Sequence, residues 1–98
     1  MPTVPLELHP AAIAEAAAAR RWYLERSQQA ADAFVDEVDR AIEMIAGASE
    51  RWPEYIHGTR RFLLRRFPYS VVYRRRLEGV EVIAVAHARR RPGYWRSR

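Results

Sequence analysis

Residues 27–47, SQQAADAFVDEVDRAIEMIAG, constrain the fold more than any other stretch. Phe34, Val38, Ala41, Ile42 and Ile45 recur there at spacings of three and four, which gathers them on one side of a helix and on no single face of a strand. Asp32, Asp36, Asp39, Arg40 and Glu43 fall on the other faces and read as a solvated surface. Ser27 suits the N-cap and Gly47 the C-terminus. A helix with one apolar stripe needs a second layer to bury it.

The flanking segments supply that layer. Upstream, HPAAIAEAAAARRWYLER opens with proline at a first helical position and continues in alanine, the residue of highest helix propensity. Ile13, Ala17 and Leu24, with Ala16 and Tyr23 beside them, are the expected apolar stripe. With almost no loop at Ser27, the two helices form an antiparallel hairpin. TVPLEL before them reads as a short strand that Pro5 confines to an edge or a strand start. Downstream, ASERWPEYIHGT is a loop anchored by Trp52 and Tyr55. RRFLLRRF, YSVVYRRR and VEVIAVAH follow as three strands with short hairpin links. The last is apolar on both faces, as a central strand covered on two sides would be. The order is β-α-α-β-β-β over residues 1–98, a single α+β domain with the helix hairpin packed on one face of an antiparallel sheet and the arginines on or around the other.

Charge is divided along the chain. Residues 1–59 hold five arginines against ten acids, a balance of −5, and residues 60–98 hold twelve arginines against Glu78 and Glu81, a balance of +10. Such asymmetry points one half towards a polyanion or an acidic partner. There is no lysine and no cysteine, so thiolate and disulfide chemistry are absent and proton transfer falls to histidine, tyrosine or carboxylate. No apolar run approaches the roughly 20 residues of a membrane span. MPTVPLELHP has neither a basic start nor a long apolar run, so no secretory signal is expected. Dinucleotide, P-loop, zinc and nucleophile-elbow patterns are missing, and no cofactor or metal is expected.

On alternating positions Arg61, Leu63 and Arg65 share one face of their strand, and Arg60, Phe62, Leu64 and Arg66 the other. Arg74, Arg75 and Arg76 close the next strand, and Arg89, Arg90 and Arg91 follow the last. Tyr69, Tyr73, Tyr94 and Trp95 add planar surfaces among the cations. That mixture suits stacked single-stranded bases and equally a protein interface. His87 ends the central strand beside the arginines, the one side-chain type whose charge changes near physiological pH. A strand-end histidine also serves as an ordinary hydrogen-bonding residue.

The element order, with FPYSVVYR in its middle and VIAVAHARRRPGYW at its end, resembles the RelE/ParE superfamily of bacterial toxins, and within it the plasmid-stabilisation branch. The resemblance spans essentially the whole chain. It implies a RelE/ParE-like fold and a cytoplasmic toxin of a type II toxin–antitoxin system, neutralised by an antitoxin encoded beside it. RelE-like members cleave messenger RNA in the ribosomal A site, whereas ParE-like members inhibit DNA gyrase without a known catalytic constellation. For a nuclease, the resemblance implies His87 as base or acid, Tyr94 as its partner, and Arg61, Arg65 and Arg89 as phosphate clamps. Tyr94 starts from a pKa of ~10 and serves more readily as acid. Ser70 stands where RelE-like nucleases commonly carry arginine, and the family's lysines are missing. The lean is therefore to the ParE-like branch, with a ribosome-dependent endoribonuclease and a non-toxic basic interaction module as alternatives. A groove between the helix hairpin and the basic strands is the expected antitoxin site. Arg65, Arg66, Arg74, Arg75, Arg89, Arg90, Arg91, Tyr94 and Trp95 are the candidate antitoxin or target contacts.

Overall fold

His9 and Pro10 start the first helix together. In the computed structural model, which describes residues 4–98, α1 spans Pro10–Leu24 and the His9 Nδ1 accepts the Ala11 N–H at 3.0 Å. Proline sits in the first turn, where its missing N–H costs nothing. α2 spans Gln28–Gly47, with Ser27 Oγ accepting from the Ala30 N–H at 3.1 Å. Ser27 thus separates and caps the hairpin as the sequence requires. Gly47 stays helical, and the chain turns away at Ala48 (φ −158°, ψ 58°). No helix among the described residues is long and apolar enough to cross a membrane.

Five strands follow the expected order with one addition: β1 (Leu6–Leu8), β2 (Glu54–Tyr55), β3 (Thr59–Leu63), β4 (Tyr69–Arg75) and β5 (Val80–His87). In space they lie β1-β5-β4-β3-β2. β2 is a two-residue strand inside the anchored loop. The pairs β2–β3, β3–β4 and β4–β5 are antiparallel, while β1 runs parallel to β5, making the sheet mixed. Pro5 accordingly precedes an edge strand. Thr3, the first residue of the strand expected there, lies outside the described residues. Gly79 is needed where β1 meets β5, because a Cβ would collide with the Pro5 carbonyl oxygen that accepts the Val80 N–H at 2.9 Å.

Both faces of the sheet are covered. Phe34, Val38, Ala41 and Ile45 of α2 pack with Val71, Tyr73, Val80, Val82 and Val85. On the other face Val72, Ile83, Ala84 and Ala86 lie under Trp95, which the C-terminal tail folds back to 2% exposure. β5 keeps both faces supplied through a bulge: Val72 pairs with Ala84 and Tyr73 with Val82, leaving Ile83 as the extra residue. One added residue reverses which side chains face which layer, so Val82 before it and Val85 after it both point at the helices.

The stripe expected on α1 is corrected. Ile13 and Leu24 are 53% and 40% exposed, and α1 instead buries Ala12 and Ala19, with Ala16 and Tyr23 partly covered. α1 packs directly against β5, and alanine is the side chain that permits such close backbone approach while larger residues turn outward.

Candidate functional site

Strand register decides where the arginines gather. Leu63 pairs with Ser70 and Tyr69 with His87, so the β3–β4 turn lies beside the exit of β5, and Ala88 N–H donates to Pro68 O across that end at 2.7 Å. Arg65, Arg66, Arg89, Arg90 and Arg91 follow the strands to this end. Arg74, Arg75 and Arg76 lie at the other, next to the β4–β5 turn. There the charge is largely matched: Arg74 and Arg76 reach the buried Glu81 at 2.7 and 2.9 Å, and Arg75 reaches Glu50. At the first end Arg66 pairs with Glu37 at 3.2 Å, whereas Arg65, Arg89, Arg90 and Arg91 have no carboxylate partner among the described residues. The basic segments therefore form one neutralised end and one open end.

Glu37 also accepts the backbone N–H groups of Arg65 and, at 3.1 Å, of Arg66, fixing the turn that presents both side chains. Burial pushes its carboxyl up, but these backbone bonds and the Arg66 guanidinium prevail and hold it below the usual carboxylate value.

A second carboxylate organises the tail. β1 pairs with β5 only as far as Val82, leaving backbone groups beyond it in need of partners. Side chains supply them. Glu15 Oε1 on α1 accepts the Val85 N–H at 3.0 Å, and Arg98 Nη1 donates to the Ile83 carbonyl at 2.9 Å. Arg98 also grips Glu15 with both terminal nitrogens, at 2.8 and 3.0 Å, and the Tyr94 hydroxyl donates to Glu15 Oε2 at 2.6 Å. Burial pushes Glu15 up, yet the bonds from Arg98, Tyr94 and Val85 outweigh it and leave its carboxyl below the usual range. Tyr94 moves the opposite way, first through burial and then through the carboxylate it faces, so its phenol holds the proton well above the ordinary tyrosine range.

Between α1 and this end of the sheet runs a groove of about 410 Å³. Ala18, Ala19 and Trp22 form one wall, Tyr69, Val85 and His87 the other, and Arg90 and Tyr94 close one side. Trp22 is 51% exposed, with the Arg26 guanidinium 3.6 Å above its ring. His87 is half-buried, accepts the Arg89 N–H on Nδ1 at 3.0 Å and stands edge-on to Tyr69 at 5.0 Å. The groove joins apolar walls to unpaired cations, a combination that receives a peptide with apolar anchors and acids.

Of the residues singled out in the sequence, His87, Arg90 and Tyr94 meet at this groove. Arg65 and Arg89 are exposed at its end of the sheet, and Arg61 lies over the Tyr55 ring at 4.1 Å on the tail-covered side. Arg74 and Arg75 are at the far end with their carboxylates, and Trp95 is buried beneath the tail. Sequence reading missed Glu15 and Trp22. Glu15 had a signal: it is the one acid within the run AAIAEAAAA. Trp22 had none, because it sits beside Tyr23 and only the rotation of α1 separates exposed from covered.

A model of the ParE toxin of the type II toxin–antitoxin system parDE matches residues 6–92. No curated protein matches the chain. Among solved structures it is similar to a chain of the chromosomal ParDE toxin–antitoxin system of P. aeruginosa, with a TM-score of 0.77 and 16% identity over 89% of this chain and 98% of that one. That likeness is one of fold, and it agrees with the two helices packed on a five-stranded sheet. The family match runs from β1 through the unpaired arginines at the exit of β5, and on that match the chain belongs to the ParE toxin family of type II toxin–antitoxin systems.

Proposed function

We propose that this protein is the growth-arresting toxin of a type II toxin–antitoxin pair, that it acts in the cytoplasm by non-catalytic contact with DNA gyrase, and that its antitoxin seats in the α1–sheet groove. Family membership supports the toxin assignment. The observation that carries the non-catalytic reading is the 2.6 Å bond from Tyr94 to Glu15. A nuclease needs an acid that releases its proton to the leaving oxygen, and the Tyr94 phenol, buried and donating to the Glu15 carboxylate, keeps its proton. The groove supports the antitoxin assignment through its apolar walls beside cations with no acid of their own.

Inducible expression with parallel DNA-damage and transcript readouts tests the target. Double-strand breaks, filamentous cells and blocked supercoiling by purified gyrase, with intact messenger RNA, are expected. Codon-phased cuts that disappear in His87→Ala would establish the ribosome-dependent endoribonuclease instead. Harmless expression, together with polyanion binding that collapses with salt, would leave a basic interaction module. Co-expression with the neighbouring reading frame should restore growth, and Trp22→Ala or Arg90→Ala should weaken the complex about tenfold or more.

A further inference from the structure

The loop between β2 and β3 holds a backbone conformation that its turn does not need. Tyr55 pairs with Thr59, so Ile56, His57 and Gly58 make a three-residue connection, braced by the Thr59 hydroxyl donating to the Ile56 carbonyl at 2.7 Å. Such a connection commonly needs one left-handed residue, its last, and Gly58 supplies it at φ 71°. His57 is left-handed too, at φ 58° and ψ 38°, and is the one non-glycine residue with positive φ among the described residues. Histidine tolerates that region better than most side chains, but less well than glycine. His57 is exposed, so burial of its ring offsets little of the strain. Strain held without local need points to a contact made elsewhere.

That contact is the tail. Gly93 is left-handed as well, at φ 86°, and a Cβ built on it would stand 3.0 Å from His57 Nε2 and 3.2 Å from Cδ2 of the same ring. The imidazole thus lies where a side chain on residue 93 would need room, and the two turns interlock. Tyr55, which enters the β2–β3 loop, packs on Trp95 at 5.6 Å between ring centres, so loop and tail meet along a line. Turn bonds carry the placement onward: the Tyr94 N–H donates to the Arg91 carbonyl at 3.1 Å, and the Arg96 N–H to the Gly93 carbonyl at 2.9 Å. Arg90 and Tyr94, which wall the groove beside α1, lie on either side of Gly93.

We infer that His57 is a positioning residue for the tail: its strained backbone aims the imidazole along the Pro92–Gly93 turn and so sets Arg90 and Tyr94 in the groove wall. Glycine at position 57 would hold the same backbone with less strain. What histidine adds is the ring, and the ring lies on the tail. The placement of the tail stands on this geometry alone. Its consequence for binding rests on the assignment of the groove to the antitoxin.

Amide exchange followed residue by residue, beside thermal melting of the full chain, tests it. His57→Gly should leave the thermal midpoint unchanged or raise it by up to about 5 °C. Exchange at Tyr94 and Arg96 should meanwhile speed about tenfold or more, with that at Val71 in β4 unaltered. Unchanged exchange in the tail overturns the inference, as does a falling midpoint with exchange rising everywhere. Gly93→Ala supplies a second arm. It should loosen the tail, and adding His57→Gly to the same chain should restore part of the protection by removing the ring that the new methyl group meets. Strictly additive effects overturn the contact. Binding of the neighbouring reading frame's product separates the two readings. With tail exchange raised, affinity weakened about tenfold in His57→Gly supports the groove as the antitoxin's seat. Unchanged affinity counts against that seat and leaves the positioning of the tail supported.

Discussion

Glu15 joins three parts of the chain that are far apart in sequence: the middle of α1, the unpaired edge of β5, and the tail. Four hydrogen bonds converge on its carboxylate. Losing its charge leaves Arg98, itself mostly covered, with the Ile83 carbonyl but without a counter-charge. Glu15→Gln should therefore cost about 3 kcal/mol at neutral pH, a fall of roughly 15 °C in thermal midpoint. Because folding lowers the Glu15 pKa below 4.5, its stabilisation is complete above that value and is lost as pH falls through the folded pKa. Tyr94, raised above its ordinary 10, contributes fully below pH 10 and less as pH rises towards its folded pKa. A pH series of thermal midpoints should show both limbs, with Glu15→Gln flattening the acid one. Tyr94→Phe removes a single bond to a charged acceptor and should cost about 2 kcal/mol.

At the scale of elements, α2 was fully legible because its stripe is made of large side chains, whereas α1 was legible as a helix but not in its rotation. Alanine on every side gives a periodicity too faint to orient a helix, and three of the four bulky residues, Ile13, Trp22 and Leu24, lie exposed while Tyr23 is partly covered. The reversal is testable by melting. Ala19→Leu should destabilise by about 1–3 kcal/mol through overpacking, while Ile13→Ala should stay within about 0.5 kcal/mol of the parent. The strands were legible from their alternation, but β1's parallel partner was not, since direction depends on the crossover and not on composition. Gly79→Ala should loosen that pairing, costing about 1–3 kcal/mol, with faster amide exchange at Val80 as its local sign. In the candidate site, His87 and the arginines were legible by type. Their sorting into matched and open groups was not, because Glu81, Glu50 and Glu37 reach them only through tertiary folding.

At the scale of the whole molecule, the acids of the first half and the arginines of the second partly cancel across the fold, and the surplus cation is left where β5 ends. Substituting Arg89 and Arg91 together with glutamine should reduce the salt dependence of polyanion binding by about one unit for each phosphate that is no longer neutralised. Arg74→Gln should change it little, because that guanidinium already rests on Glu81. Heparin-column elution would rank the variants. The bulge at Ile83 also bears on the molecule as a whole. If the bulge were flattened and β5 (Val80–His87) alternated strictly through all of its residues, the downstream half of the strand would turn over. His87 would then face away from the groove, and Ala84 and Ala86 would replace Val85 beneath the helices. A bulge at one position, with no change in composition, thus determines which side of this protein carries its histidine.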